Sequence, residues 1–92
     1  MQEFWLAQEI LKAAIEYAEK RHLKSVKNIV INLGDKIAFM DSKENFYKKE
    51  IIPENLQIYI KLLAKGTIAQ NAQIKIKPIE GEYWGLEKIE GE

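Results

Sequence analysis

The stretch MQEFWLAQEILKAAIEYAEKR, residues 1–21, carries the clearest periodicity in the chain. Its apolar side chains recur at intervals of three or four residues, which is the spacing of one face of an α-helix. The members of this stripe are Phe4, Ala7, Leu11, Ala14 and Ala18, with Ile10, Ile15 and Tyr17 widening it. The pattern predicts an amphipathic helix whose apolar face packs against the rest of the fold.

Three later segments alternate between apolar and polar residues, which is the pattern of a half-buried strand. They are residues 25–33, residues 72–77 and residues 84–89. The short spacing between the last two indicates a hairpin, so we expect the final strand to pair back on the strand before it.

A second helix is predicted between Pro53 and Gly66. Proline suits the first turn of a helix, and glycine suits the position just after its end. Residues 36–52 allow two interpretations. Asp41 followed by Glu44 could open a short helix as a capping box, but the apolar residues on either side of a turn-like centre favour a hairpin.

This order of elements predicts an α+β fold in which two helices pack on one face of a small mixed β-sheet. In such a two-layer arrangement we expect Ile74 and Ile76 to be buried against Ala14 and Ala18 or their neighbours.

Composition limits the possible functions. The 92 residues suit a single domain, and the 14 basic and 14 acidic residues give a net charge of zero, which disfavours nucleic-acid binding. One histidine and no cysteine leave no catalytic constellation, so we expect no enzyme and no catalytic residue. The absence of a long apolar run or a signal peptide predicts a cytoplasmic protein without a membrane association. Abundant Ile, Lys and Glu are compatible with a thermophilic source.

Several segments resemble the HypA/HybF family of hydrogenase nickel-incorporation proteins, which are metallochaperones. Residues 1–3 (MQE) are similar to the Met-His-Glu start of that family, and residues 26–29 (VKNI) with 33–35 (LGD) are similar to its first strand. Residues 63–68 (LAKGTI) match its Leu-x-x-Gly-Thr pattern most specifically, and residues 86–90 (LEKIE) resemble its final strand. The resemblance covers most of the chain.

The resemblance implies one HypA-like domain over residues 1–92, with an insert at about 36–52. Gln2 stands where the family has a nickel-binding histidine, and the cysteine pairs of the family's zinc module are missing. We therefore expect no zinc, no tightly bound cofactor, and at most a weak nickel site made by the Met1 amine, Gln2 and Glu3.

As the resemblance implies, the function would be that of an accessory protein in the maturation of a nickel enzyme, a hydrogenase. Its partner would be a HypB-like GTPase or a hydrogenase large subunit. The alternative is a metal-free interaction or adapter module that keeps the HypA fold, including a homodimer formed through an edge strand.

Helix geometry singles out Trp5 as a candidate for binding that partner. Phe4 lies on the apolar stripe, and an adjacent residue cannot share that face equally, so Trp5 is directed toward the flank. We expect Glu3, Trp5, Gln8 and Glu9 to form a partner-binding surface, since aromatic anchors dominate interface energies. The alternative is that Trp5 packs under the segment 36–52.

Overall fold

The computed structural model describes residues 2–92 and has two helices and five strands. In chain order they are α1 (Gln2–Lys20), β1 (Val26–Gly34), β2 (Ile37–Met40), β3 (Phe46–Lys49), α2 (Pro53–Ala64), β4 (Gln73–Ile79) and β5 (Trp84–Gly91). The predicted α+β fold, with two helices on a small mixed sheet, is confirmed. No helix in residues 2–92 is both long enough and apolar enough to span a membrane.

The main sheet has three strands in the order β4-β1-β5. β4 runs parallel to β1, and the connection between them contains α2, as a parallel pair requires. β5 runs antiparallel to β1. The expectation that β5 would pair with β4 as a hairpin is therefore wrong, because β1 lies between them and pairs with both.

The helices cover one face of this sheet. α1 packs against α2 and β5, and α2 packs against β4. The pairing of Ile29 with Ile74 aligns buried side chains of β1 and β4 on the covered face. The strand that carries Ile74 thus packs against α2, whereas the sequence suggested Ala14 and Ala18 of α1 as its partners.

The main core contains buried side chains from both helices, from β1 and β4 and from their flanks, and the half-buried β5 side chains Trp84, Leu86 and Ile89 pack against it. Its largest fully buried members are Leu6, Ile10, Ile29, Ile31, Leu56, Ile60 and Val26. Burying each of these side chains contributes about 1.5–3 kcal/mol of transfer free energy. α2 begins at Pro53 and is followed by Gly66 at a positive φ of 80°, as the sequence predicts for its two ends.

Residues 36–52 contain a hairpin, which confirms the favoured interpretation. β2 and β3 form a two-stranded sheet of their own, from the pair Ile37–Lys49 to the pair Met40–Phe46. The Asp41 side chain caps the turn by accepting hydrogen bonds from the backbone N–H groups of Lys43 and Asn45, at 2.8 and 2.9 Å. Asp41 thus makes the kind of local bond that could have started a helix, but it stabilises a turn.

The link between β4 and β5 crosses the end of β1 at Gly34. The Gly34 N–H donates to the Tyr83 carbonyl at 3.0 Å, and the Gly81 N–H donates to Asp35 Oδ1 at 3.0 Å. The backbone N–H of Ala38 in turn donates to the Glu82 carbonyl at 3.0 Å. This crossing places the hairpin beside the start of β5.

Candidate functional site

The first described residue of α1 is held by the hairpin. The Gln2 Nε2 group donates to the Tyr47 hydroxyl at 3.2 Å, and Lys49 Nζ donates to Gln2 Oε1 at 2.8 Å. The Tyr47 ring also stacks on Phe39, with the ring centroids 5.6 Å apart. Both ends of the Gln2 amide are therefore engaged by side chains of β3.

These contacts bear on the predicted nickel site at Met1, Gln2 and Glu3. Met1 lies outside the described residues, and Glu3 is half-buried in the first turn of α1. An amide oxygen is a weak ligand for nickel, and this one already accepts a hydrogen bond from a cationic ammonium group. Residues 2–92 also contain no group of three or more His, Asp or Glu side chains that could hold a metal ion. The binding of nickel by Met1, Gln2 and Glu3 stays a prediction.

A groove lies between α1, the hairpin and the link to β5. It has a volume of about 490 Å³ and is lined by Trp5, Leu6, Gln8, Glu9, Lys12, Ile37, Ala38, Phe39, Met40, Glu82, Tyr83 and Trp84. We call it the α1–β2 groove. Most of these side chains are apolar or aromatic, which is the usual lining of a binding cleft.

The rim of the α1–β2 groove exposes large apolar side chains. Trp5 is 59% exposed, Met40 57% and Tyr83 74%, and Phe46, which pairs with Met40 at the end of the hairpin, is 78% exposed. Contiguous exposed apolar side chains of this kind commonly mark an interaction site. Of the four exposed aromatic residues in residues 2–92, two, Trp5 and Tyr83, line the groove.

Helix geometry explains why Trp5 is exposed. The side chains on either side of it pack within the fold. Phe4 packs edge-to-face on Tyr59 with ring centroids 5.8 Å apart, and Leu6 is fully buried. The flank orientation expected for Trp5 is confirmed. The ring faces the groove beside β2 and is not covered by residues 36–52.

The structure brings three of the four predicted partner-binding residues together. Trp5, Gln8 and Glu9 all line the α1–β2 groove, whereas Glu3 does not. Their role in binding a partner stays a prediction. Sequence reasoning missed Met40 and Tyr83. The signal for Tyr83 was its position two residues after Gly81, since an aromatic residue in a glycine-containing link can indicate a binding loop.

An ion pair between Lys48 and Glu82 joins the hairpin to the link below the groove. The hydrogen bond to Glu82, assisted by the charge of its carboxylate, raises the pKa of Lys48 above the ordinary value of 10.5. Because the Lys48 side chain is exposed, solvent screens this pair and its contribution to stability is small. The hydrogen bond from the Ala38 N–H to the Glu82 carbonyl, at 3.0 Å, also joins the hairpin to the link.

A second depression, of about 930 Å³, lies at the opposite end of β1 around Gly66 and Thr67. It is wider and more polar. The Thr67 hydroxyl donates to the Ala64 carbonyl at 2.7 Å and accepts from the Ala69 N–H at 3.1 Å. Thr67 thus stabilises the turn after α2, so its position in the family pattern has a structural explanation. The α1–β2 groove is the better candidate site.

Comparison with curated proteins identifies relatives of this chain. It is 32% identical over 82 residues to the hydrogenase maturation factor HypA of Legionella pneumophila strain Lens, a match that covers 89% of this chain and 62% of the relative. The HypA of the Philadelphia 1 strain gives the same values. Over most of its length the chain is similar to these HypA proteins.

A more distant HypA, from Archaeoglobus fulgidus, is 28% identical over 76 residues, which is 83% of this chain and 58% of that protein. No family model matches the chain. The match thus spans about three fifths of the length of the HypA proteins. These matches confirm the resemblance to HypA proteins seen in the sequence.

Proposed function

We propose that this HypA-family chain acts in hydrogenase maturation by binding another protein at the α1–β2 groove, and that it does so without carrying nickel. The relatives are named hydrogenase maturation factors, which supports the process. The proposed role is that of an accessory protein and includes no catalytic step.

The observation that carries the proposal is the exposed aromatic rim of the groove. Trp5 and Tyr83 stand on its two sides, on a helix and on a link, and both are more than half exposed. Burying a tryptophan or tyrosine at the centre of an interface typically contributes 2 kcal/mol or more to binding, by the criterion of alanine substitution. The groove therefore offers two anchors to a partner.

The Gln2 contacts support the part of the proposal that concerns nickel. A cation that binds the Gln2 oxygen would have to displace the Lys49 ammonium group, which lies 2.8 Å away. It would also lie close to that positive charge, and repulsion between charges at such short range is strong near a protein surface. We therefore assign the N-terminal turn of α1 to holding the hairpin that forms one wall of the groove.

The proposed partner is a HypB-like GTPase or a hydrogenase large subunit. Calorimetry with each purified candidate from the same organism tests this directly. We expect Trp5→Ala and Tyr83→Ala to weaken binding by about 30-fold each. Ile58→Ala is the matched control, because Ile58 is an apolar residue of similar exposure, 55%, on α2 and outside the groove.

Equal affinities of the Trp5→Ala and Ile58→Ala proteins would exclude the groove as the binding surface. If the wild-type chain binds neither candidate but captures other proteins through Trp5, it is an adapter module with the HypA fold and not a maturation factor. The Gln2–Lys49 contact supports this alternative as much as the main proposal, since neither role requires a bound metal.

A further inference from the structure

We propose that the outer edge of β5 is a self-association surface, through which two copies of this chain pair antiparallel with Ile89 on the two-fold axis. This surface is separate from the α1–β2 groove and goes beyond the proposed function. The main sheet has two outer edges, those of β4 and β5, because β1 is central.

The β4 edge is closed by side chains of the chain itself. Gln57 Nε2 of α2 donates to the Ile74 carbonyl at 2.8 Å, which occupies an acceptor on that strand. Pro78 lies further along β4 and has no backbone N–H to offer a neighbouring strand. A second chain therefore finds few free backbone groups on this side.

The direction of the β5 backbone groups follows from the hydrogen bonds at its two ends. Gly34 bonds to Tyr83 before the strand, and Ser25 and Glu92 exchange bonds after it, at 3.2 and 3.0 Å. Because paired residues in an antiparallel ladder alternate between bonded and non-bonded, Lys88 and Glu90 direct their backbone groups toward β1. Ile89, between them, directs its N–H and C=O outward.

The second half of β5 is the free part of this edge. The register with β1 shifts between Val30 and Ile31, which places Glu87 in a bulge, and bulges interrupt pairing. A second shift, between Val26 and Asn28, places the extra residue on β1 and leaves residues 88–91 of β5 continuous. Just before β5 begins, the carbonyl groups of Gly81 and Glu82 already accept hydrogen bonds from backbone N–H groups at the start of the hairpin. Pairing that is centred on Ile89 avoids both obstacles.

Charge complementarity selects a second copy as the occupant. In a pairing centred on Ile89, Lys88 of each chain lies directly opposite Glu90 of the other, on the uncovered face of the sheet. Within one chain these two side chains already form an ion pair at 3.4 Å, so the pairing would create an alternating group of two ammonium and two carboxylate groups. Opposite charges in such cross-strand positions stabilise a sheet.

α1 provides a second contact along the same edge. It packs against β5, and its Phe4 side faces α2, so the opposite side of α1 is turned away from α2. Tyr17 lies on that side and is 43% exposed, with Arg21 Nη1 donating to its hydroxyl at 2.8 Å. We expect this exposed tyrosine to be covered when two copies pair.

Sedimentation velocity of the untagged chain over a concentration series tests the proposal. We expect the wild type to reach twice the chain mass of 10.7 kDa. Lys88→Glu would place carboxylates opposite each other and raise the dimer dissociation constant by about tenfold or more. The double variant Lys88→Glu/Glu90→Lys should restore association, while the control Lys75→Glu, with the same charge change on β4, should leave it unchanged.

Amide hydrogen exchange gives a test that needs no variant. The Ile89 N–H should become protected as the concentration rises, while the Lys88 N–H, which faces β1, should be protected throughout. A wild type that stays monomeric, a Lys88→Glu protein that associates as Lys75→Glu does, or an Ile89 N–H whose exchange ignores concentration would each overturn the proposal. Trp5→Ala should leave the dimer intact, which separates this result from the test of the groove.

Discussion

Gly34→Ala is the substitution for which the structure gives the sharpest expectation. A Cβ atom at this position would lie 2.5 Å from the Gly81 carbonyl oxygen, 2.8 Å from the Gly81 carbonyl carbon and 2.8 Å from the Tyr83 carbonyl oxygen. All three are backbone atoms, which cannot rotate away as a side chain would. The residue has no positive φ, so the requirement for glycine here is the close crossing of two chain segments and not the backbone angle.

The loss of stability in Gly34→Ala can be estimated from the contacts that the link between β4 and β5 would lose. Overpacking of a well-packed site typically costs 1–3 kcal/mol. Moving the link away would also lengthen the bonds from Gly34 to Tyr83 and from Lys36 to Gly81, now 3.0 and 3.2 Å, each worth about 1 kcal/mol. We expect a loss of roughly 3 kcal/mol in the free energy of unfolding, a large part of the stability of a domain of this size.

Urea unfolding followed by far-UV circular dichroism measures this loss. With a slope near 1.5 kcal/mol per molar, the midpoint should fall by about 2 M. Gly85→Ala is the control, since a Cβ there meets no atom within 4 Å and its backbone is not left-handed. It should be neutral or slightly stabilising, because alanine restricts the unfolded chain. Equal midpoints for the two variants would refute the steric argument.

Three further outcomes are expected. Ile74→Ala should lower the free energy of unfolding by about 2–4 kcal/mol in the same assay, since Ile74 is buried in the core, and a loss under about 1 kcal/mol would mean that its side chain is not packed there. The hydrogen bond and charge of Lys77 lower the pKa of Glu87 below 4.5. The stability from this exposed pair is therefore present above pH 4.5 and fades as the pH falls through the lowered pKa. NMR titration should show the pKa of Glu87 returning toward 4.5 in Lys77→Met, and an unchanged pKa would contradict the assignment. Calorimetry should show no submicromolar nickel affinity for the untagged wild type or for Gln2→His. The double variant Gln2→His/Lys49→Met should bind nickel more tightly than Gln2→His, because the Lys49 ammonium group is removed. Equal nickel affinities of these two variants would show that the ammonium group does not oppose the metal.

The elements whose type could be read from the sequence are those with strong local patterns. α1, β1 and α2 are long enough for their apolar period to be unambiguous, and Pro53 and Gly66 mark the ends of α2 as expected. The partner of β5 could not be read in this way. A short link favours a hairpin by local geometry, but the apolar strand β1 takes the centre of the sheet and pairs with both β4 and β5.

The candidate site was only partly predictable for a related reason. Exposure of Trp5 follows from its neighbours on one helix, which the sequence displays. The other wall of the groove, with Met40 and Tyr83, depends on how the link crosses Gly34 and how the hairpin then bonds to it. These are contacts between segments that are distant in sequence, and no periodicity reports them.

In the proposed dimer, the hydrogen bond from Gln57 to the Ile74 carbonyl would limit further growth of the sheet. Joining two β5 edges would leave a β4 edge on each outer side of a continuous six-stranded sheet. If those edges were open, further copies could add without limit, as in fibre-forming proteins. Because Gln57 and Pro78 obstruct these outer edges, the proposed pairing through β5 would end at two copies.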